Sequence, residues 1–237
     1  MSKTTGKLLA GLAVLVVVLA LLVHWIGVQT LRDTRGDLLF YLQSHLLLVG
    51  ASMLMALLLG IPVGVLLSRP FMARSAERFM QVFNIGNTIP PLAVLAIALG
   101  VLGIGNGPAI FALFLASLLP IVRNTYEGLK NVPGSLKEAA RGIGMTPSQV
   151  LLRVELPNAV PIIVGGVRVA LALNVGTAPL AFLIGANSLG SLIFPAIALN
   201  NQALLLLGAA TTALLALLLD GLVSLGSRLW LERGLAR

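Results

Sequence analysis

The chain has no cysteine and only two histidines in 237 residues. That excludes disulfides, thiolate nucleophiles and thiolate metal sites, and leaves too few ligands for a metal centre. Charged residues are scarce, at 10% against about 25% in an ordinary soluble domain. With 58% hydrophobic residues, this excludes both a water-soluble globule and a disordered chain. No G-x-x-x-x-G-K-[ST] loop is present, so the chain does not bind ATP through a P-loop. No G-x-S-x-G, H-E-x-x-H or cysteine-based constellation occurs either, which argues against a membrane hydrolase. The expectation is a non-enzyme that binds no cofactor and no metal of its own.

What is present is long apolar sequence. Residues 8–31, 38–68, 79–122 and 169–219 contain no Lys, Arg, Asp or Glu. A spanning helix needs about 20 apolar residues. The first two stretches hold one span each and the last two hold two each. Gly103-Ile104-Gly105-Asn106-Gly107-Pro108 punctuates the third, and Asn187-Ser188, Pro195 and Asn200-Asn201-Gln202 punctuate the fourth. The sequence therefore predicts an all-α polytopic membrane protein with six transmembrane helices, near 9–26, 46–67, 83–102, 109–125, 162–184 and 203–223. The N-terminal run is too long for a signal peptide and reads as an uncleaved first span. Residues 1–237 form a single transmembrane domain. An even count puts both termini on one side. If that side is the cytoplasm, only Arg32 and Arg35 of the 16 basic residues lie outside, as the positive-inside rule requires. Trp25 and Tyr41 then fall near the outer interface, Tyr126 and Trp230 near the inner one, and His24 and His45 near the outer surface.

The inner loop at 126–158, between spans four and five, carries two signed helices. Ser135-Leu136-Lys137-Glu138 has the form of a capping box, with Ser135 as cap and Glu138 reaching back. Gly142 or Gly144 ends that helix in the left-handed conformation. Thr146-Pro147-Ser148-Gln149 repeats the start signal, and Pro157 is expected to end the second helix before the fifth span. A helix-turn-helix wedged between spans has little freedom to enter a DNA groove, so no nucleic acid is expected as a partner. The residues themselves leave two readings open: a dock for another protein, or an inert connector on the lipid surface.

Glu138-Ala139-Ala140-Arg141-Gly142-Ile143-Gly144, followed by Val154-Glu155-Leu156-Pro157, resembles the EAA loop of bacterial ATP-binding-cassette importer permeases. Asn84-Ile85-Gly86-Asn87-Thr88-Ile89-Pro90-Pro91-Leu92-Ala93, Leu119-Pro120-Ile121-Val122-Arg123-Asn124-Thr125 and Gly185-Ala186-Asn187-Ser188-Leu189-Gly190 resemble the subfamily that imports quaternary-ammonium osmoprotectants such as glycine betaine, choline and carnitine. The resemblance implies a type I importer fold in the bacterial plasma membrane. It implies a cytoplasmic ATP-binding subunit holding ATP and Mg, a second permease copy or paralogue, and an extracytoplasmic substrate-binding protein. The loop would be a coupling helix docked on the ATPase, with Glu138, Ala139, Ala140, Gly142, Gly144, Leu156 and Pro157 carrying it. Glu138 has two roles open to it: an ionic contact to the partner, or capping with Ser135.

Polar residues in a span either line a path or glue helices together. Asn84, Asn87, Thr88, Pro90 and Pro91 in the third span, and Asn174 and Thr177 in the fifth, are the candidates for the translocation path. Gly165-Gly166, Gly176 and Gly185 read as close-packing positions. Arg168 and Asp220 lie toward the inner span ends, where snorkelling or mutual pairing explains them. With aromatics at 5% there is little material for a quaternary-ammonium cage, so the selective site is expected on the separate binding protein. The rival class is a secondary transporter or channel. Such carriers usually keep carboxylates at depth, and a stand-alone carrier needs no docking loop.

Overall fold

The computed structural model describes Val17 and residues 20–235, with the backbone alone for 83–87 and 230–235. Most of the expected first span, Lys3, Lys7, the Asn84 and Asn87 side chains and the Trp230 indole lie outside the described residues. Residues 20–26 are helical. After Gly27, at φ 81°, come α1 (Val28–Asp33) and α2 (Arg35–Leu67). A 3-10 turn at Pro70–Met72 leads to α3 (Ala73–Thr88), then α4 (Pro91–Leu102) and α5 (Asn106–Lys130). Next are α6 (Gly134–Gly142), α7 (Pro147–Val150), a π-turn at Leu151–Glu155, α8 (Leu156–Thr177) and a 3-10 segment at Ala178–Ile184. The last elements are α9 (Gly190–Ala198) and α10 (Gln202–Leu235). No strand occurs among the described residues.

Four described helical stretches are long and apolar enough to cross a bilayer: Arg35–Leu67, Asn106–Lys130, Pro147–Ile184 and Gln202–Leu229. The expected third span, 83–102, is not one helix. Ile89 and Pro90 leave the helix, with Pro90 at φ −57° and ψ 139°. Tandem prolines remove two N–H donors, and each disfavours helical backbone in the residue before it. The remaining α4, at 12 residues, is about 18 Å long, well short of a hydrocarbon core of about 30 Å. The second span begins earlier than expected, because α2 runs back to Arg35. His45, on α2, is fully buried. Pro195 does not break a helix either, but lies inside α9.

The middle of the bundle is α5, packed between α2 and α8, with α4 along it and α10 against α8 and α9. Glycines permit the tight crossings. A Cβ at Gly64 would lie 2.8 Å from the Val122 carbonyl oxygen of α5, and one at Gly166 would lie 2.7 Å from that of Pro120. Gly165 and Gly176 were expected to do the same, yet both have open space where a Cβ would stand. Gly185 serves a turn, at φ 79° against Ile104. The loop before α5 is tied there by the Gly105 amide, which donates to the Ile184 carbonyl at 3.0 Å.

Asn174 lies in the buried core. Its Nδ2 donates to Ser52 Oγ of α2 at 2.8 Å and to Ser117 Oγ of α5 at 2.7 Å. Both serine hydroxyls donate onward to carbonyls of their own helices, Leu48 and Leu113. One amide thus joins three helices. Replacing Asn174 with alanine leaves the serines satisfied by their own helices but removes both cross-helix bonds. The expected loss is about 1–2 kcal/mol, because interhelical bonds in membranes contribute modestly. The check is the thermal midpoint of the detergent-purified protein, and an unchanged midpoint would contradict the assignment. Arg168 and Asp220 pair with each other across α8 and α10, Nε to Oδ1 at 2.6 Å and Nη2 to Oδ2 at 2.7 Å.

Candidate functional site: the 126–158 loop and the adjoining cavity

The loop at one end of the bundle contains the helix-turn-helix expected from sequence, with one start signal displaced. Helix α6 begins at Gly134 with Pro133 in the cap position, and no side chain caps it. Pro133 sits at φ −51° and ψ 132°, and its carbonyl accepts from the Leu136 and Lys137 amides. That places Ser135 inside the first turn, so Ser135 and Glu138 form no capping box. Glu138 is left exposed, with its carboxylate on the surface.

The end of α6 is a Schellman turn. The Met145 amide donates to the Ala140 carbonyl at 3.1 Å, and the Gly144 amide to that of Arg141 at 2.9 Å. Gly144 is the left-handed residue, at φ 84°, which decides between the two glycines that sequence left open. The second start signal is present in full. Thr146 accepts from the Gln149 amide, and Gln149 Oε1 accepts from the Thr146 amide at 2.8 Å. The turn is therefore pinned on both sides and its direction is fixed.

Pro157 does not end the second helix. Helical backbone continues from Pro147 to Ile184. A proline ring would collide with the carbonyl four residues earlier, that of Arg153. Here the backbone widens over Leu151–Glu155, and the Leu156 amide bonds to the Leu151 carbonyl five residues back. Leu156 and Pro157 thus lie in the joint between loop and span, not at a break.

Of the coupling-loop candidates, Glu138, Ala139, Gly142 and Gly144 are exposed at the tip, whereas Ala140 turns inward and is buried. Ile143, not singled out from sequence, is 76% exposed between the two glycines. Its signal was available: an apolar residue flanked by glycines in an otherwise polar turn has no core to enter.

Beside the central helix is a cavity of about 730 Å³, walled by α3, α4, α5 and α8. Ile89, Pro91, Ile97, Phe111, Leu115 and Thr177 are among its lining residues. Of the path candidates, Pro91 and Thr177 line it; Thr88 and Pro90 are exposed at the α3–α4 break; Asn174 is in the core, away from it. The walls are mostly apolar. The Thr177 hydroxyl donates to the Leu173 carbonyl at 2.8 Å.

Residues 56–237 match the profile of the family described as binding-protein-dependent transport system inner membrane component. The chain belongs to that family. It is the non-catalytic permease subunit of an ATP-binding-cassette importer, a multi-pass inner-membrane protein, and ATP is hydrolysed on a separate subunit. It is 59% identical over 221 residues to the osmoprotectant import permease protein OsmY of Salmonella typhimurium, covering 93% of this chain and 94% of that one. It is 37% identical to the choline transport system permease protein OpuBB of Bacillus subtilis, covering 89% and 96%. Among solved structures, the permease fold is similar to a chain of an inward-facing MetNI methionine ABC transporter, with a TM-score of 0.69 and 24% identity over 85% of this chain and 97% of that one. The permease therefore shares that fold.

Proposed function

We propose that this permease forms half of a pathway for a small quaternary-ammonium osmoprotectant, of the class of glycine betaine, choline or carnitine, and that its 126–158 loop docks on the ATPase. The observation that carries the docking is the turn at Ile143–Gly144. It is pinned by a Schellman motif before it and a capping box after it, and it leaves an isoleucine 76% exposed. Large exposed apolar side chains on a rigid, otherwise polar tip suit insertion into a groove. Glu138 and Ala139 flank the same tip, and with its capping role gone Glu138 is free to pair with a basic groove.

The substrate class rests on the relatives, whose names give osmoprotectants and choline. Tight selection falls to the binding protein, since among the described residues Phe111 is the one aromatic lining the cavity and a cage needs several. In this reading the chain crosses the membrane six times, the α3–α4 pair together making the third crossing. Both termini and the 126–158 loop face the cytoplasm, where the positive-inside rule puts nearly all the basic residues. A second permease, identical or paralogous, completes the pathway at the α4 side, with Thr88, Pro90, Pro91 and Thr177 toward it.

The test is mild-detergent purification of the tagged chain from its native membrane, wild type beside Ile143→Asp. The expected result is an ATP-binding subunit that accompanies wild type and is lost from the variant, with both chains equally abundant in the membrane. Equal retention of the ATPase by Ile143→Asp would overturn the docking reading. Uptake of radiolabelled glycine betaine, competed by choline and by an uncharged amino acid, tests the substrate class.

A further inference from the structure

Glu155 is a buried carboxylate that neither the docking tip nor the cavity uses; its side chain is 7% exposed. A buried carboxylate is costly unless it is paired and hydrogen-bonded. Two cations from two other elements meet it. Arg69 Nη2 donates to Glu155 Oε2 at 2.6 Å, and Lys137 Nζ stands 3.9 Å from Oε1.

Each cation also holds the end of a spanning helix. Arg69 Nε donates to the Val65 carbonyl in the last turn of α2, at 3.2 Å. Lys137 Nζ donates to the Leu129 carbonyl in the last turn of α5, at 3.0 Å. Cations at helix C-termini are favoured by the helix dipole and by the unpaired carbonyls there. Glu155 itself sits in the π-turn, the joint between the docking loop and α8. A single carboxylate therefore gathers the loop helix α6 through Lys137, the ends of α2 and α5, and the start of α8.

Arg69 adds a direction. It lies in the connection that leads from α2 through Pro70–Met72 into α3. Helix α3 is anchored by Ala76, fully buried against Leu67 and Val122, and ends at the Ile89–Pro90 break. Val82 of α3 and Ile89 both line the cavity. The path from loop to cavity wall is thus α6, Lys137, Glu155, Arg69, α3.

We propose that Glu155 is a positioning residue for coupled transport: it clamps the docking loop to the α2–α3 connection, so that movement of the loop displaces the cavity wall at Ile89. The inference rests on the docking reading above. It assigns the clamp no contact with substrate or ATPase.

The test uses the whole complex, purified with its ATPase through a tag on this chain and reconstituted in liposomes with its binding protein. Uptake of radiolabelled glycine betaine and ATP hydrolysis are measured on the same vesicles. Glu155→Gln keeps the shape and removes the charge, but it leaves Arg69 unpaired. The double variant Arg69→Gln with Glu155→Gln removes the closer cation as well and leaves Lys137 on the Leu129 carbonyl, and it decides the matter if the single variant fails to accumulate. The expected result is that the ATPase remains bound and hydrolysis continues near the wild-type rate, while substrate moved per ATP falls at least about five-fold, the lower end of ordinary coupling effects. A merely structural pin would lower uptake and hydrolysis together, or neither, and either outcome in the double variant overturns the clamp. A wild-type complex that retains no ATPase overturns the docking reading and the clamp with it. Wild-type assembly with an unchanged transport ratio in the double variant overturns the clamp alone.

Discussion

Gly166→Leu is expected to abolish the folded bundle, whereas Gly165→Leu, one residue away, is expected to leave it standing. A Cβ at Gly166 would lie 2.7 Å from the Pro120 carbonyl oxygen and 2.8 Å from Asn124 Cγ, both on α5. Neither can retreat. The carbonyl belongs to a helix packed on its other side by α2, where Gly64 makes the same kind of close approach. Asn124 is held by its own bond, Nδ2 donating to that same carbonyl at 2.8 Å. Leucine would force α8 off α5, and strain of this kind costs about 1–3 kcal/mol or more when the obstacle is backbone. The Asn174 amide, two turns along α8, would lose its serines on α2 and α5 at the same time. The check is the thermal midpoint and the monodisperse yield in mild detergent. A large drop for Gly166→Leu with little change for Gly165→Leu is the expected pattern. Equal stability of the two would refute the close crossing.

The pair also shows how far the sequence could be read. Charge-free stretches locate the apolar segments, because a charge at bilayer depth is expensive wherever the helix points. They do not say which face of a helix meets which neighbour. Gly165 and Gly166 read alike in sequence, and one helical step of about 100° separates a forced contact from open space. Asn174 and Thr177 were read alike too. Three residues on, Thr177 reaches the cavity, while Asn174 faces the crossing of three helices.

Local signals were legible where one residue's chemistry settles the backbone. Gly144 and the Thr146–Gln149 box are such cases. The Ser135–Glu138 pattern was not, because Pro133 starts the helix sooner and its geometry prevails over a side-chain cap. Pro157 was read as a stop, and its missing N–H and its ring do conflict with an ordinary helix. The chain resolves the same conflict by widening the helix over Leu151–Glu155, and a single sequence does not reveal that choice. The buried Ala140 is a third case: its inward turn follows from where α6 lies on the bundle, which only tertiary packing fixes.

Gly144→Val is expected to stop transport without unfolding the protein. Gly144 stands at φ 84°, and a Cβ added there would meet nothing within 4 Å. The penalty is therefore in the backbone alone. A left-handed conformation costs an ordinary L-residue about 1–2 kcal/mol, and a β-branched residue is a genuine outlier there. No atom of a span lies within 4 Å of that Cβ among the described residues, so the strain is relieved locally, by giving up the two Schellman bonds to Ala140 and Arg141. The tip then loses its fixed direction, and Ile143 no longer points where the partner requires it. The expected result is a thermal midpoint close to wild type, loss of the co-purifying ATPase, and uptake of radiolabelled glycine betaine reduced at least about ten-fold, as a lost interface anchor of some 1.4 kcal/mol or more implies. Gly144→Asn separates conformation from bulk. Asparagine enters the left-handed region far more readily than valine while being as large. If the turn's geometry is what matters, Gly144→Asn retains most of the ATPase and most of the uptake. If both variants fail alike, the requirement is for a small residue against the partner's surface, and the Schellman turn is not what sets the docking.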